Sequence, residues 1–252
     1  MWIKCNDKIK KSFDSKCTGF TDATNLKESD LHEIRICSIK IGDKNSHYSA
    51  EFPSSAMTAL KAMLQGHYEE LIINAKAFRQ HENLSASLEE LFQAAVEIPI
   101  RDAKVHLEGI SASVPSAEKF AFRLLESSVD SANKSLKVAN CEFRDFFYQE
   151  AIKAFLDARI KDISLRDLEL IVEVMDHILA KLESNPSKFV GHRIEARSAE
   201  SVSLKNFLTN KGYEILNHVK ESYRLAVSET HEIRVAFYYL TFTVVITCWE
   251  RQ

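Results

Sequence analysis

Apolar residues recur at intervals of three and four positions along most of the chain, a spacing typical of one buried face of an α-helix. The most regular stretch follows Ser164, where the stripe consists of Leu168, Ile171, Met175, Ile178 and Leu182. Other stripes of this kind occupy residues 60–78, 91–96, 120–132, 143–156 and 204–223. The pattern predicts about seven to eight helices from residue 54 to the end of the chain.

A segment near the N-terminus has a period of two instead. In residues 33–52, Ile34 and Ile36 alternate with Arg35 and Cys37. Gly42 begins a turn, and residues 47–52 form the second strand after it. This arrangement predicts a β-hairpin. We therefore expect a mainly α fold, a multi-helix bundle formed by residues 54–252, with residues 1–53 as an N-terminal segment whose hairpin packs on the bundle.

Three segments depart from the helical pattern. Residues 96–114 are compatible with a short helix or with a strand, because Gly109 and Pro115 limit the length of a helix there. Residues 185–203 are polar and contain Pro186 and Gly191, which makes them a possible internal linker. The fifteen apolar and threonine residues from Val235 to Trp249 are fewer than the roughly 20 that a membrane-spanning helix needs. We interpret this run as the most buried element of the core.

The composition agrees with long helices and excludes several functional classes. Six glycines and four prolines are few for 252 residues, whereas all-β folds need many turns. The net charge of -3 gives no electrostatic reason to expect binding to nucleic acid or to an anionic membrane. The five cysteines form no C-x-x-C pair and no apolar leader precedes them, which favours the cytosol of the producing cell, or a host cytosol for a secreted effector.

One short motif suggests catalysis. Arg101, Asp102 and His106 form the pattern Arg-Asp-x-x-x-His, which resembles the signature of the HEPN superfamily, small helical proteins that include metal-independent ribonucleases. The resemblance implies that Arg101 binds the scissile phosphate and that His106 helps the ribose 2′-hydroxyl to attack. In such an enzyme, Asp102 or Lys104 would assist. The resemblance also implies a homodimer. Arginine offers a charged fork for phosphate, and histidine exchanges a proton near neutral pH.

A second group of candidate residues lies in the polar segment after Lys188. Together with His192, Arg193 and Arg197, this lysine places three or four cationic groups around one glycine. Such a cluster can bind a phosphate or an acidic partner. The chain contains no nucleotide-binding glycine motif, no nucleophile elbow and no H-E-x-x-H zinc motif, so that no metal or other cofactor is expected.

Two functions remain. The first is a helical protein that binds another macromolecule, most simply another protein, as an immunity protein, a bacterial effector or a regulator does. The alternative is a HEPN-like ribonuclease that acts on RNA through Arg101 and His106. Neither function requires a membrane, and self-association remains open.

Overall fold

A computed structural model describes residues 2–5, 21–22, 36–41, 68–75, 84–97, 104–127, 134–198, 200–217 and 221–251. These residues form a mixed α/β fold, so the expected helical bundle is wrong. The chain divides into two compact units. Unit 1 comprises Met1–Lys134 and Asn140–Phe147, and unit 2 comprises Ser135–Ala139 and Tyr148–Gln252.

Unit 1 contains five described strands in the order β2-β1-β3-β4-β5. β1 is antiparallel to β2 and β3, whereas β3, β4 and β5 are parallel. The strands and helices are β1 (Trp2–Cys5), β2 (Thr21–Asp22), β3 (Ile36–Ile41), β4 (Tyr68–Asn74), α1 (Leu84–Val96), β5 (Lys104–Glu108) and α2 (Pro115–Glu126).

The core of unit 1 follows from alternation along its parallel strands. Leu71 lies opposite Val105 and Ile73 opposite Leu107, and all four side chains are buried. α2 begins with Pro115, whose fixed φ suits the first turn of a helix. These rows of apolar side chains, together with the buried faces of α1 and α2, form one core.

Unit 2 contains seven strands in the order β6-β7-β8-β12-β11-β10-β9. The first three are parallel, and each remaining neighbour is antiparallel. The strands are β6 (Ser135–Ala139), β7 (Asp162–Glu169), β8 (Arg193–Arg197), β9 (Glu214–Asn217), β10 (Ser222–Ala226), β11 (His231–Tyr238) and β12 (Thr243–Glu250). Three helices, α3 (Asp145–Leu156), α4 (Val172–Ser184) and α5 (Ser201–Asn210), and 3₁₀ helices at Pro186–Phe189 and Tyr239–Thr241 lie between them in the chain.

One face of the unit 2 sheet is apolar and buried across five neighbouring strands. Its side chains align in two rows because successive residues of a strand point to opposite faces. The rows are Leu136, Ile163, Ile194, Ile246 and Val235, and Val138, Leu165, Ala196, Val244 and Phe237. Full burial of a large apolar side chain stabilises a fold by about 1.5–3 kcal/mol, so these rows are a major part of the core of unit 2.

The structure corrects the helical assignment at four places. Tyr68–Asn74 is a strand where the spacing predicts a helix, and Asp162–Glu169 is a strand where a helix was expected from Ser164. The helix expected over residues 204–223 ends at Asn210 and is followed by β9 and β10. The apolar run at residues 235–249 consists of the second half of β11, an exposed connection and most of β12.

Other expectations are met or resolved. Helices do begin near Ser116 and continue from residue 145 to residue 156. In residues 96–114 the structure has a strand, β5. The first strand of the expected hairpin is present as β3, but the strands that pair with β3 are β1 and β4, and residues 47–52 lie outside the described residues. Residues 185–203 contain a 3₁₀ helix, all of β8 and the start of α5.

The scarcity of glycine was a misleading indicator because several turns use other residues. Asn140, Ala158, Glu221 and Phe242 all have positive φ, a conformation that glycine normally supplies. In the described part of the chain, helices also lie between the parallel strands β4 and β5, β6 and β7, and β7 and β8, and such connections need few tight turns. A low glycine count is therefore compatible with the strands seen here.

We expect Ile246→Ala to lower the free energy of unfolding by about 2–5 kcal/mol, because its side chain is 1% exposed within the inner row. The matched variant Ile215→Ala, in β9 with 45% exposure, should lower it by about 1 kcal/mol or less. Urea unfolding of both variants measures the difference. Equal losses would contradict the assignment of Ile246 to the buried face.

Candidate functional site

The structure gives only part of the geometry of the HEPN-like motif. Arg101 and Asp102 lie outside the described residues. His106 is in the middle of β5, half-buried on the face opposite Val105 and Leu107. A strand differs from the helical setting that the ribonuclease interpretation assumes, and the position of His106 relative to Arg101 stays untested.

The four cationic residues of the second candidate group do not share one surface. Lys188 is exposed in the 3₁₀ helix, with its ammonium nitrogen 5.9 Å from the ring centre of Phe189. His192 is buried. Arg193 and Arg197 lie at opposite ends of β8 but on the same face of the sheet, because they are four residues apart in a strand. The structure therefore keeps two of the four residues on one face and separates the other two from them, and Arg193 is the one that belongs to the site described below.

His192 packs between two aromatic rings of unit 2. Its ring centre is 6.1 Å from that of Phe155 and 5.5 Å from that of Phe189, both at steep angles. Neither ring nitrogen makes a hydrogen bond of normal geometry. Burial lowers the pKa of His192, and the charges of Lys161 and Lys188 lower it further, while the nearby carbonyl groups of Val190 and Phe189 only partly oppose this. The neutral ring is thus the form that the fold accommodates.

The opposite face of the unit 2 sheet carries arginines that lie over buried carboxylates. We call this surface the arginine face and define it by Arg166, Arg193, Glu195, Glu232, Arg234, Thr247 and Trp249. The alternation that buries Ile194 and Ile233 directs the neighbouring residues of β8 and β11 to this side. Register then sets Thr247 of β12 opposite both Arg193 and Arg234.

Glu195 is the centre of one half of the arginine face. Its side chain is 7% exposed, and Arg166 donates from Nε to Oε1 at 2.9 Å. Arg193 contacts the other carboxylate oxygen and also donates from Nη1 to Oδ1 of Asp162 at 3.1 Å. The side chain of Arg166 is 53% exposed. The carboxylate of Glu195 is therefore shielded from solvent, whereas the guanidinium group of Arg166 that contacts it belongs to a half-exposed side chain.

Glu232 and Arg234 repeat this arrangement on β11. Glu232 is 5% exposed, accepts a hydrogen bond from Nε of Arg234 and forms an ion pair with its Nη2, and the side chain of Arg234 is 49% exposed. The guanidinium carbon of Arg234 lies 5.4 Å from the ring centre of Trp249. The indole N–H of Trp249 donates to Thr247 at 2.7 Å. Arg234 and Trp249 are thus held in fixed positions at the surface.

The electrostatics of the arginine face follow from these contacts. Burial raises the pKa of Glu195, but the hydrogen bonds and charges of Arg193 and Arg166 outweigh it, so that the pKa lies below its usual value. The carboxylate consequently stays ionised and keeps its arginine partners in place. The side chain of Arg166 is 53% exposed, and its guanidinium group has further N–H donors with which it can bind an external acceptor.

Neither a metal site nor a membrane span is found in the described part of the chain. No group of three or more histidine, cysteine, aspartate or glutamate residues is arranged there to hold a metal ion. Within the same residues, no helix has the length and apolar character required to cross a bilayer. The arginine face is therefore the candidate site with the most fully defined geometry in these segments.

Comparison with known proteins does not identify a family. No protein-family model matches the chain, and neither the curated proteins nor the solved structures contain a match.

We expect the stability of the protein to depend on His192 at mildly acidic pH. The unfolded chain takes up a proton near pH 6.5, whereas the folded protein, in which the pKa is lowered, binds it less readily. The free energy of unfolding should therefore fall as the pH decreases from 7.5 through 6.5.

Urea unfolding between pH 7.5 and 5.5 measures this dependence. His192→Phe should flatten it, whereas His177→Gln, a change at an exposed position of α4, should retain the slope. Identical slopes for the wild type and His192→Phe would show that His192 is not the group responsible.

Proposed function

We propose that this protein acts by binding another protein, and that the arginine face is the recognition surface. The observation that carries the proposal is the arrangement of Arg166 and Arg234, whose guanidinium groups are exposed while buried glutamates hold them in place. Tryptophan and arginine are the side chains that most often dominate protein interfaces. Trp249, 47% exposed beside Arg234, adds such a side chain.

Fixed side chains favour binding because less conformational entropy is lost on association. An arginine free in solvent must be ordered when it meets a carboxylate. Arg234 is already ordered by a hydrogen bond and an ion pair to Glu232 and by the indole ring of Trp249. The proposed surface therefore needs little rearrangement to present its charges.

The charge distribution favours an acidic protein as the partner. The buried positions of Glu195 and Glu232 leave Arg166 and Arg234 at the solvent boundary, whereas Arg193 lies beside Asp162, a carboxylate that is equally exposed. Carboxylates match the guanidinium fork, and complementary charge accelerates association. The net charge of the whole chain, -3, gives no comparable support for nucleic acid. The cytosol is the proposed compartment, and among the described residues Cys141 and Cys248 are not joined in a disulfide, which agrees with it.

The proposal is tested with a fluorescently labelled deca-glutamate peptide as a generic acidic probe. We expect the wild type to bind it at low salt and Arg166→Ala to weaken binding by about threefold to tenfold, which corresponds to about 0.7–1.4 kcal/mol. Binding should decrease as salt is added, because salt screens exposed charges. Fluorescence anisotropy gives the dissociation constants.

Two matched variants control for charge and for folding. Arg159→Ala removes an arginine that pairs with Asp157 away from the arginine face and should leave binding unchanged. Arg166→Lys keeps the charge but loses the planar fork, so an intermediate affinity is expected. Equal weakening by Arg159→Ala, or tighter binding of a single-stranded oligonucleotide than of the peptide, would refute the proposal.

A further inference from the structure

The connection between β11 and β12 exposes a group of large apolar side chains. We call residues 238–242 the β11–β12 tip. Leu240 is 99% exposed, Phe242 65%, Tyr238 55% and Tyr239 46%. The tip contains no charged residue. Four neighbouring side chains of this size in solvent make no evident contribution to the core, and clustered apolar exposure typically marks a contact surface.

The backbone of the tip has a defined conformation. Tyr239–Thr241 is a 3₁₀ turn, and Phe242 follows it in the left-handed region with φ of 49°. The backbone N–H of Ser198 donates to the carbonyl of Phe242 at 2.7 Å. A bulky residue with positive φ is unusual, and such strain is concentrated at functional positions.

Lys205 of α5 contacts an aromatic ring of the tip. The ammonium group of Lys205 lies 4.5 Å from the ring centre of Tyr239 and 5.6 Å from that of Phe237, and it forms an ion pair with Glu221. Its charge is therefore neutralised within the protein. The contact with Lys205 holds Tyr239 in position while Leu240 and Phe242 remain in solvent.

The tip continues the arginine face along the strands. Tyr238 pairs with Thr243, and Thr243 pairs with Arg197, so these residues belong to the same side of the sheet as Arg193 and Arg234. A partner that covers the arginine face can therefore reach the tip without a change in the protein.

We propose that the β11–β12 tip is an apolar anchor that inserts Leu240 and Phe242 into an apolar pocket of the protein bound by the arginine face. This inference rests on the proposed function and adds the shape of the partner, an apolar socket beside an acidic surface. A few apolar or aromatic side chains in a desolvated pocket supply much of the affinity of many interfaces.

The same side chains are a poor membrane anchor. A single myristoyl chain gives only marginal membrane binding and needs a second signal such as a polybasic patch. The tip offers two protruding apolar side chains and no charged residue, and Lys205 is already paired. The arginines of the adjoining arginine face are each paired with a carboxylate, so that face is not a polybasic patch. A protein pocket therefore fits the tip better than a lipid surface.

The experiment places the photo-crosslinking residue benzoyl-phenylalanine at position 240 of the full chain and irradiates it in lysate of the producing cells. A matched chain carries it at Glu229, an exposed polar residue of the turn between β10 and β11. We expect one discrete adduct with another protein from position 240 and none from position 229. Adding Phe242→Asp should abolish the adduct.

Affinity is then measured with the crosslinked protein after its identification and purification. Leu240→Asp should weaken binding by about tenfold to 100-fold, because it removes the anchor and places a charge in the pocket. Leu216→Asp, at a 42% exposed position in β9, should change the affinity by about twofold or less. Similar losses for both variants would overturn the inference.

Three other outcomes would overturn the proposed anchor. The first is the absence of any adduct, and the second is an adduct with a second copy of the chain. The third is sedimentation of the protein with phosphatidylcholine–phosphatidylserine vesicles, if Leu240→Asp abolishes it. The proposed recognition surface and the proposed apolar anchor can be refuted independently of each other. If deca-glutamate binding depends on Arg166 and position 240 gives no adduct, only the anchor is wrong. If the adduct forms unchanged in Arg166→Ala, the arginine face is not the recognition surface.

Discussion

The register of β8 between β7 and β12 is the constraint on which the unit 2 sheet depends. It aligns Ile194 with Ile163 and Ile246 on the buried face and sends Glu195 to the other side. A shift of one residue would exchange these faces and place a carboxylate in the apolar core. Burial of Glu195 is tolerated in the observed register because Arg166 and Arg193 both contact its oxygens. The same pairing therefore maintains the core and fixes the positions of two guanidinium groups.

The proposed function is a consequence of this arrangement. Arg166 and Arg234 form ion pairs on the outer face and are also about half exposed, so an external acceptor can reach them. Arg234 repeats the arrangement on β11, where Glu232 lies beneath it and Trp249 beside it. Charged groups that are ordered before binding attract a partner of opposite charge and also fix the orientation in which it binds. The exposed connection after β11 extends this surface with apolar groups, so that one side of the sheet combines charge, aromatic area and a protruding apolar tip.

Part of the fold could be predicted from the sequence. Helices α2 and α3 have clear starts and a regular apolar stripe. β7 was missed because Ile163 and Leu165 alternate over too few residues, and Leu168 and Ile171 then continue into α4 at helical spacing. β11 and β12 were hidden because their outer positions include valine, tyrosine and threonine, which blurs the alternation. The arginine face could not be predicted, since its acids and arginines come from different strands whose pairing depends on the tertiary fold. Only Arg193 was identified as a candidate.

A double-mutant cycle between Arg166 and Glu195 tests this account most directly, because the two residues meet only if β7 and β8 pair in the observed register. The free energies of unfolding of Arg166→Ala, Glu195→Gln and the double variant are compared with that of the wild type. Since Arg166 is half exposed, we expect a favourable coupling energy of about 0.5–1.5 kcal/mol. A coupling energy indistinguishable from zero would contradict both the register of β8 and the fixed position of Arg166.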